Sequence, residues 1–301
     1  MSYSVVIPVL NPGEALLRLT DALKGQTAPP EEIIVVDSES EDGFPEQAAG
    51  QSGVRLVRIR RKDFDHGGTR DMALRTCRTP FVVMMTQDAL PASSRCMEEL
   101  LKPFADGRVA AVCGRQIAYP EASPAEKAVR AFRYPAENDV WEKEDIPRRG
   151  VKAYLLSDVC AAYRISAYEA VGGFARPLET NEDMLIAADF LDAGFFLAYR
   201  GEAAVYHSHQ YTLRQEYERN RKIGSFLGKF GTRFGGGGMT GEGLRLVQSV
   251  SRTLVKEKHF GGLIPFWLDC GARWLGSRNG KKAAGRRKTG QERDDGGQPD
   301  N

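Results

Sequence analysis

Apolar residues in the first ninety positions come in short, largely continuous runs rather than in strict alternation with polar ones. SVVIPVL (4–10), EIIVVD (32–37), VRLVRIR (54–60) and FVVMMT (81–86) are rich in β-branched residues, as strands buried on both faces of a parallel sheet should be. Between these runs the period becomes helical. Leu16, Leu19 and Leu23 share a face that ends at Gly25, and Met72, Leu74 and Arg75 fall in a second short helix closed by Thr79-Pro80. Strand and helix in turn at this spacing predict an α/β fold: a Rossmann-like, mainly parallel sheet flanked by helices. Pro8 has no N–H for a central ladder, so the first strand's pairing is expected to end or bulge there.

Beyond residue 90 the rhythm loosens. Helices are expected at 97–104 and 125–134, with a strand at 109–117. The polar, proline-containing stretch 135–153 is expected to be a mobile loop over something functional. Residues 182–191 form an amphipathic helix with Thr180 or Asn181 as its cap and Gly194 as its stop. A strand returns at 196–207, followed by a long basic helix at 213–230 and a glycine break at Gly235–Gly238. A helical C-terminal extension, 236–277, carries Phe260, Leu263, Ile264, Phe266, Trp267, Leu268, Trp274 and Leu275. The tail, 278–301, begins with six cations (Arg278, Lys281, Lys282, Arg286, Arg287, Lys288) and ends in polar residues expected to be disordered. On this reading the catalytic domain is 1–235.

Charge and cysteine content remove several function classes. Forty-two basic against forty acidic side chains leave a formal charge of +2, which gives no general attraction for nucleic acid. No apolar run approaches the roughly 18–20 residues that span a bilayer, and no basic segment precedes the apolar N-terminal one. Five scattered cysteines without a C-x-x-C pair disfavour a zinc cluster and fit a reduced, cytoplasmic chain.

An open parallel sheet binds ligands beyond the carboxyl ends of its strands. Here those ends carry Asn11, Asp37, the His66-Gly67-Gly68-Thr69-Arg70 stretch, and Gln87-Asp88, so polar groups crowd one edge four times over. No G-x-G-x-x-G follows the first strand and no G-x-x-x-x-G-K-[ST] occurs, which disfavours a nicotinamide site and excludes a P-loop. Asp37 suits a base N–H. Ser40 and Asp42 suit either a ligand or the cap of the next helix. Gly67 and Gly68 would let backbone approach a ligand, and Arg70 is a fixed cation matched to a diphosphate. Asp88 closes an apolar strand, where a carboxylate is costly unless it is paired or binds metal.

In this order, VVIPVLN, VVDSESED, HGGTRD, TQDA and TNED resemble the family 2 glycosyltransferases of the GT-A fold. FDHGGTRDMA with the later YHSHQYTLRQEYERNRKIG is similar to the bacterial rhamnosyltransferases within that family; the resemblance covers roughly 3–235. It implies an inverting transferase with a nucleotide-sugar donor, for the rhamnosyl branch dTDP-L-rhamnose, and a cell-surface glycan or lipid-linked sugar as acceptor. It places Pro8, Asn11, Asp37, Ser40, His66, Gly67, Arg70, Gln87 and Asp88 around the donor. A divalent cation, Mg²⁺ or Mn²⁺, is implied at Asp88, which alone matches the family's D-x-D because Gln87 and Ala89 flank it.

Inverting transfer needs a base for the attacking hydroxyl. The resemblance assigns this role to Asp183 in Thr180-Asn181-Glu182-Asp183, with Glu182 orienting or binding the acceptor. Acids at a helix start are also what the macrodipole favours without any catalytic role. His207 and His209 share a face, and the resemblance makes His207 a metal or diphosphate ligand rather than a loop histidine. Asp158 and Gly172-Gly173-Phe174 fall where the family builds its pocket, although packing accounts for Phe174 equally; Arg219 and Arg221 fit a solvated helix face. The aromatic and then cationic C-terminal segment suits either the inner face of a membrane or packing on the catalytic domain. Rival readings are a UDP-hexose donor, a catalytically silent sugar-binding protein and, more weakly, a nucleotidyltransferase, which would open with a glycine-rich phosphate loop where Asn11-Pro12-Gly13 stands.

Overall fold

The computed structural model describes residues 1–209, 211–235 and 238–294. The chain forms two compact units, residues 1–122 with 129–208, and residues 123–128 with 209–301.

The first unit is built on a sheet of nine strands among the described residues. They are β1 (Tyr3–Val9), β2 (Glu32–Asp37), β3 (Val54–Arg58), β4 (Phe81–Met85), β5 (Leu90–Pro91), β6 (Val109–Ile117), β7 (Asp139–Trp141), β8 (Cys160–Arg164) and β9 (Phe196–Tyr206). Their order is β3-β2-β1-β4-β8-β6-β9-β5, with β7 paired to β9. The first four strands are parallel, as their apolar runs predict. Beyond β4 the sheet is mixed: β8 runs antiparallel to β4 and β6, and β9 runs parallel to β6. Leu16, Leu19 and Leu23 of the helix Ala15–Lys24 are buried with Val5, Ile7, Ile33, Val35 and Val83 of the sheet. Each such side chain contributes about 2 kcal/mol of transfer free energy. Pro8 is accommodated because β1 pairs with β4 only as far as Val6↔Met84, whereas its ladder with β2 runs on to Val9↔Asp37.

Three local features differ from or add to the sequence reading. The paired glycines lie within a helix that begins at His66 and runs to Thr76, with the Asp65 carboxylate accepting from the Gly68 N–H at 2.6 Å. An added Cβ at Gly67 would run into the carbonyl oxygen of Ala175, so this glycine serves helix–loop packing. Residues 135–153 are not an open loop. They contain β7 on β9, and Trp141 is buried, donates to the Ala153 carbonyl at 2.9 Å and is covered by the Arg149 guanidinium. Finally β8, followed by the helix Ile165–Ala170, lies in the middle of the sheet where no strand is expected from its alanine-rich sequence.

The second unit holds the helices Leu213–Phe230, Gly238–Lys256 and Leu263–Asp294, the last two separated by a 3₁₀ turn at Phe260–Gly262. Thr212 and Gln215 form a reciprocal capping box at the first of them. The first and last helices meet at glycines. A Cβ on Gly224 would strike the Ser277 backbone, and Cβ atoms on Gly276 and Gly280 would strike the carbonyls of Tyr217 and Arg221. This seam carries the last helix through residues expected to be a disordered tail. Residues 236–237 of the expected break, the tail end 295–301 and the side chains of Arg286, Arg287 and Lys288 lie outside the described residues. No described helix is long and apolar enough to cross a membrane.

Candidate active site

Strand direction brings the polar ends together. β1, β2 and β4 finish at one edge of the sheet. Because Met85 of β4 pairs with Cys160 at the start of antiparallel β8, Ser157 and Asp158 stand at this same edge. Gln116 and His207, at the carboxyl ends of β6 and β9, join them.

The first two strand ends are laced to each other. Asn11, with φ 45°, donates its N–H to Ser40 Oγ at 2.9 Å and accepts from the Glu41 N–H at 2.9 Å. Asp37 is buried and accepts from the Ser40 N–H at 3.0 Å, and Asp42 accepts from the Gly13 N–H at 2.8 Å. Gln87 grips the Leu10 main chain from both sides of its amide, accepting at 2.8 Å and donating at 3.3 Å. The turn that presents Asp88 is thereby tied to the end of β1.

Asp88 Oδ2 faces His207 Nε2 at 3.4 Å. The imidazole is buried, and its Nδ1 lies 2.9 Å from Gln116 Oε1. Arg130, which can only donate, also binds that oxygen at 2.6 Å, while Gln116 Nε2 donates to Ser157 Oγ at 2.9 Å. Gln116 Oε1 is therefore an acceptor and His207 Nδ1 donates to it, so in the neutral imidazole Nε2 turns its lone pair toward Asp88. Two acceptors in that relation suit a cation between them, and a carboxylate with an imidazole is a donor set that fits a divalent one.

The third group surrounds Arg70. Its guanidinium is buried, with Nε 3.3 Å from Asp158 Oδ2 and Nη1 2.9 Å from Glu182 Oε1. Nη1 also lies 2.9 Å from His66 Nδ1, which must accept, so the proton of neutral His66 is on Nε2. Asp158 accepts from the Tyr163 hydroxyl at 2.5 Å. Burial pushes the Asp158 carboxyl up to about 6 against the pull of Arg70, with Glu182 adding to the rise. Asp183, at the head of the helix Glu182–Asp192, is half-buried and accepts from the Met184 N–H at 2.8 Å. Burial, then Glu182, then Asp158 hold it well above the usual aspartate range, although Arg70 and the Met184 N–H oppose them. Three carboxylates around one guanidinium leave a proton-hungry group at Asp183, which is the property of a general base.

Asp158 follows Ser157 directly, so one edge carries the Asp88–His207–Gln116–Ser157 series into the Arg70 cluster. The sequence picks out Arg70 as a diphosphate ligand; in the structure its contacts are carboxylates and His66. Phe174 is buried in edge-to-face contact with Tyr163 and Tyr168. Sequence reasoning passed over Gln116, Ser157, Tyr163, Asp65 and Asp71. Buried Asp71 holds Tyr168, Arg75 and Arg176, and Asp65 accepts from the Leu178 N–H at 2.7 Å, so both fix the loop leading to Glu182. Their i, i+6 placement around HGGTR is the one signal that could have marked them. In the second unit Arg221 pairs with Glu218 at 2.9 Å and Arg219 lies over the Tyr211 ring.

Comparison with known proteins gives a consistent picture. Residues 4–172 match the family described as Glycosyl transferase family 2. The chain is 37% identical over 290 residues to the O-antigen chain rhamnosyltransferase RfbN of Salmonella typhimurium, covering 93% of this chain and 90% of that protein. It is 38% identical over 290 residues to the O-antigen chain rhamnosyltransferase WbaN of Salmonella anatum, covering 93% and 89%. Among solved structures, the mannosyltransferase PcManGT of Pyrobaculum calidifontis, in complex with GDP-Man and Mn²⁺, superposes with a TM-score of 0.61 at 16% identity over 95% of this chain and 86% of that one. S. aureus TarS 1–349 with UDP-GlcNAc gives 0.55 at 16% identity, over 96% and 92%. These neighbours establish the GT-A architecture.

Proposed function

The chain belongs to glycosyl transferase family 2, and from that premise we propose that it moves L-rhamnose from dTDP-L-rhamnose to a hydroxyl of a cell-surface glycan, inverting the anomeric carbon. The two Salmonella rhamnosyltransferases, alike over nine-tenths of the chain, support the sugar. The observation that carries the chemistry is the Asp183 carboxyl, half-buried and held above its usual range by burial and by its neighbours Glu182 and Asp158. In a direct displacement the acceptor hydroxyl attacks the face opposite the diphosphate and loses its proton as it does so. Asp183 takes that proton. Glu182 is held by Arg70 and shapes the acceptor side, and Asp37 with the Asn11–Ser40 pair faces the nucleobase end.

Asp88 and His207 would hold the divalent cation, Mg²⁺ or Mn²⁺, which when bound supplies positive charge against the departing diphosphate. Gln116 sets the His207 tautomer from behind. Gln116→Leu should therefore weaken Mn²⁺ binding about ten- to a hundredfold, read by calorimetric titration of the full chain. An unchanged affinity would remove His207 Nε2 from the metal site. A lipid-linked acceptor would bring this cytoplasmic enzyme to the inner face of the membrane as a peripheral protein.

The test is a thermal-shift screen across nucleotide sugars with and without Mn²⁺. dTDP-L-rhamnose should give the largest rise, and more with the metal present. A larger rise with a UDP-hexose would overturn the donor assignment.

A further inference from the structure

The helix Leu263–Asp294 has two unlike faces. Phe266, Gly276, Gly280 and Ala284 are buried, the last three against the helix Leu213–Phe230. On the opposite side, at the i, i+3, i+4 spacing of one helical stripe, Ile264, Trp267, Leu268, Trp274 and Leu275 are 46–66% exposed. The stripe then changes character without changing direction: Arg278 and Lys282 continue it, with exposed Lys281 alongside. The Arg278 guanidinium lies over the Trp274 ring at 5.2 Å. Asp269 is the one acid between 263 and 285, and it is paired with Arg273 at 2.8 Å away from this stripe.

Large apolar side chains collected on one face in water mark a contact surface. Tryptophans and aliphatics at one end with unopposed cations at the other match a helix lying in the headgroup region, its rings at the acyl boundary and its cations on lipid phosphates. We propose that this face docks on a bilayer surface containing anionic phospholipid. The proposal rests on the peripheral-membrane reading above and is independent of the donor sugar. It adds which face makes the contact and which lipid charge it needs. No stretch of the helix is apolar enough to cross the bilayer.

The full chain should co-sediment with phosphatidylcholine vesicles containing phosphatidylglycerol, with its tryptophan emission shifted to the blue. It should bind pure phosphatidylcholine weakly and lose most anionic binding in high salt. Removing three cations with Arg278→Gln, Lys281→Gln and Lys282→Gln should weaken partitioning on the order of a hundredfold. Trp267→Glu with Trp274→Glu should abolish it. Circular dichroism and donor-induced thermal shift should match the parent in both variants, since the substituted residues belong to the second unit and the candidate active site is built from residues of the first. A parent chain that stays in the supernatant overturns membrane binding itself. Equal, salt-independent binding to both vesicle types overturns the need for anionic lipid. Variants that pellet like the parent leave association intact and overturn this face as its cause. A parent dimer that the tryptophan variant splits without altering vesicle binding assigns the face to a second copy instead.

Discussion

Asp183→Asn should bind donor as the parent does, transfer sugar about a thousandfold more slowly, and unfold at a higher temperature at pH 8. The substitution keeps an oxygen for the Met184 N–H and removes the one capacity that the mechanism needs, accepting a proton. Its effect on stability follows from the direction of the Asp183 shift. A carboxyl raised on folding favours the fold while protonated; that contribution is complete below the ordinary aspartate range and is lost as pH rises through the raised value. The parent should therefore lose stability relative to the variant between acid and pH 8, as measured by thermal unfolding across pH. Charge held where it destabilises the fold is a familiar signature of a catalytic group. A variant that transfers at the parent rate would show that another group is the base. One that loses donor binding would move Asp183 into the donor pocket.

Arg70→Met should be among the most damaging single changes in the molecule, at about 3–5 kcal/mol, because it strands buried Asp158 and Glu182 without their shared cation. The loss should shrink toward pH 5, where the Asp158 carboxyl, already raised to about 6, takes up a proton and needs a counter-charge less. This pH dependence separates two roles. If Arg70 bound the diphosphate, the variant would fold normally at pH 8 and lose donor affinity alone. Denaturant melts at pH 5 and pH 8 with parallel donor titrations distinguish the outcomes.

The parallel half of the sheet was legible because β1, β2 and β4 are apolar runs buried on both faces, the plainest pattern a strand can have, while β3, a half-exposed edge strand, was marked by Val54, Leu56 and Val57. The β8 strand was not. CAAYR has no β-branched residue, and its place between β4 and β6 comes from what surrounds it. Of the His66–Thr76 helix, only the part around Met72, Leu74 and Arg75 was legible. Paired glycines signal a loop locally, but here Asp65 caps them and Gly67 fits beneath the Ala175 carbonyl. Asn11, Asp37, Gln87, Asp88 and Asp158 stand at or beside strand ends at one edge of the sheet, yet their individual tasks needed coordinates. Gln87 is directed to the Leu10 main chain, and Arg70 to carboxylates separated from it by some ninety to a hundred and ten positions. Gln116 and Ser157 carry no sequence signal because their role exists only through His207. The continuation of the last helix through residues 278–284 was hidden because its glycine contacts with the helix Leu213–Phe230 join residues far apart in the sequence.

Whether two distant carboxylates serve a single sugar can be seen directly in a crystal of the full chain soaked with Mn²⁺ and dTDP-L-rhamnose. The anomalous signal of manganese should lie between Asp88 and His207 Nε2 at about 2.1 Å from each, with the anomeric carbon presenting its open side to Asp183 across the space of one hydroxyl. Manganese held elsewhere, or a sugar whose open side faces away from Asp183, would contradict the mechanism.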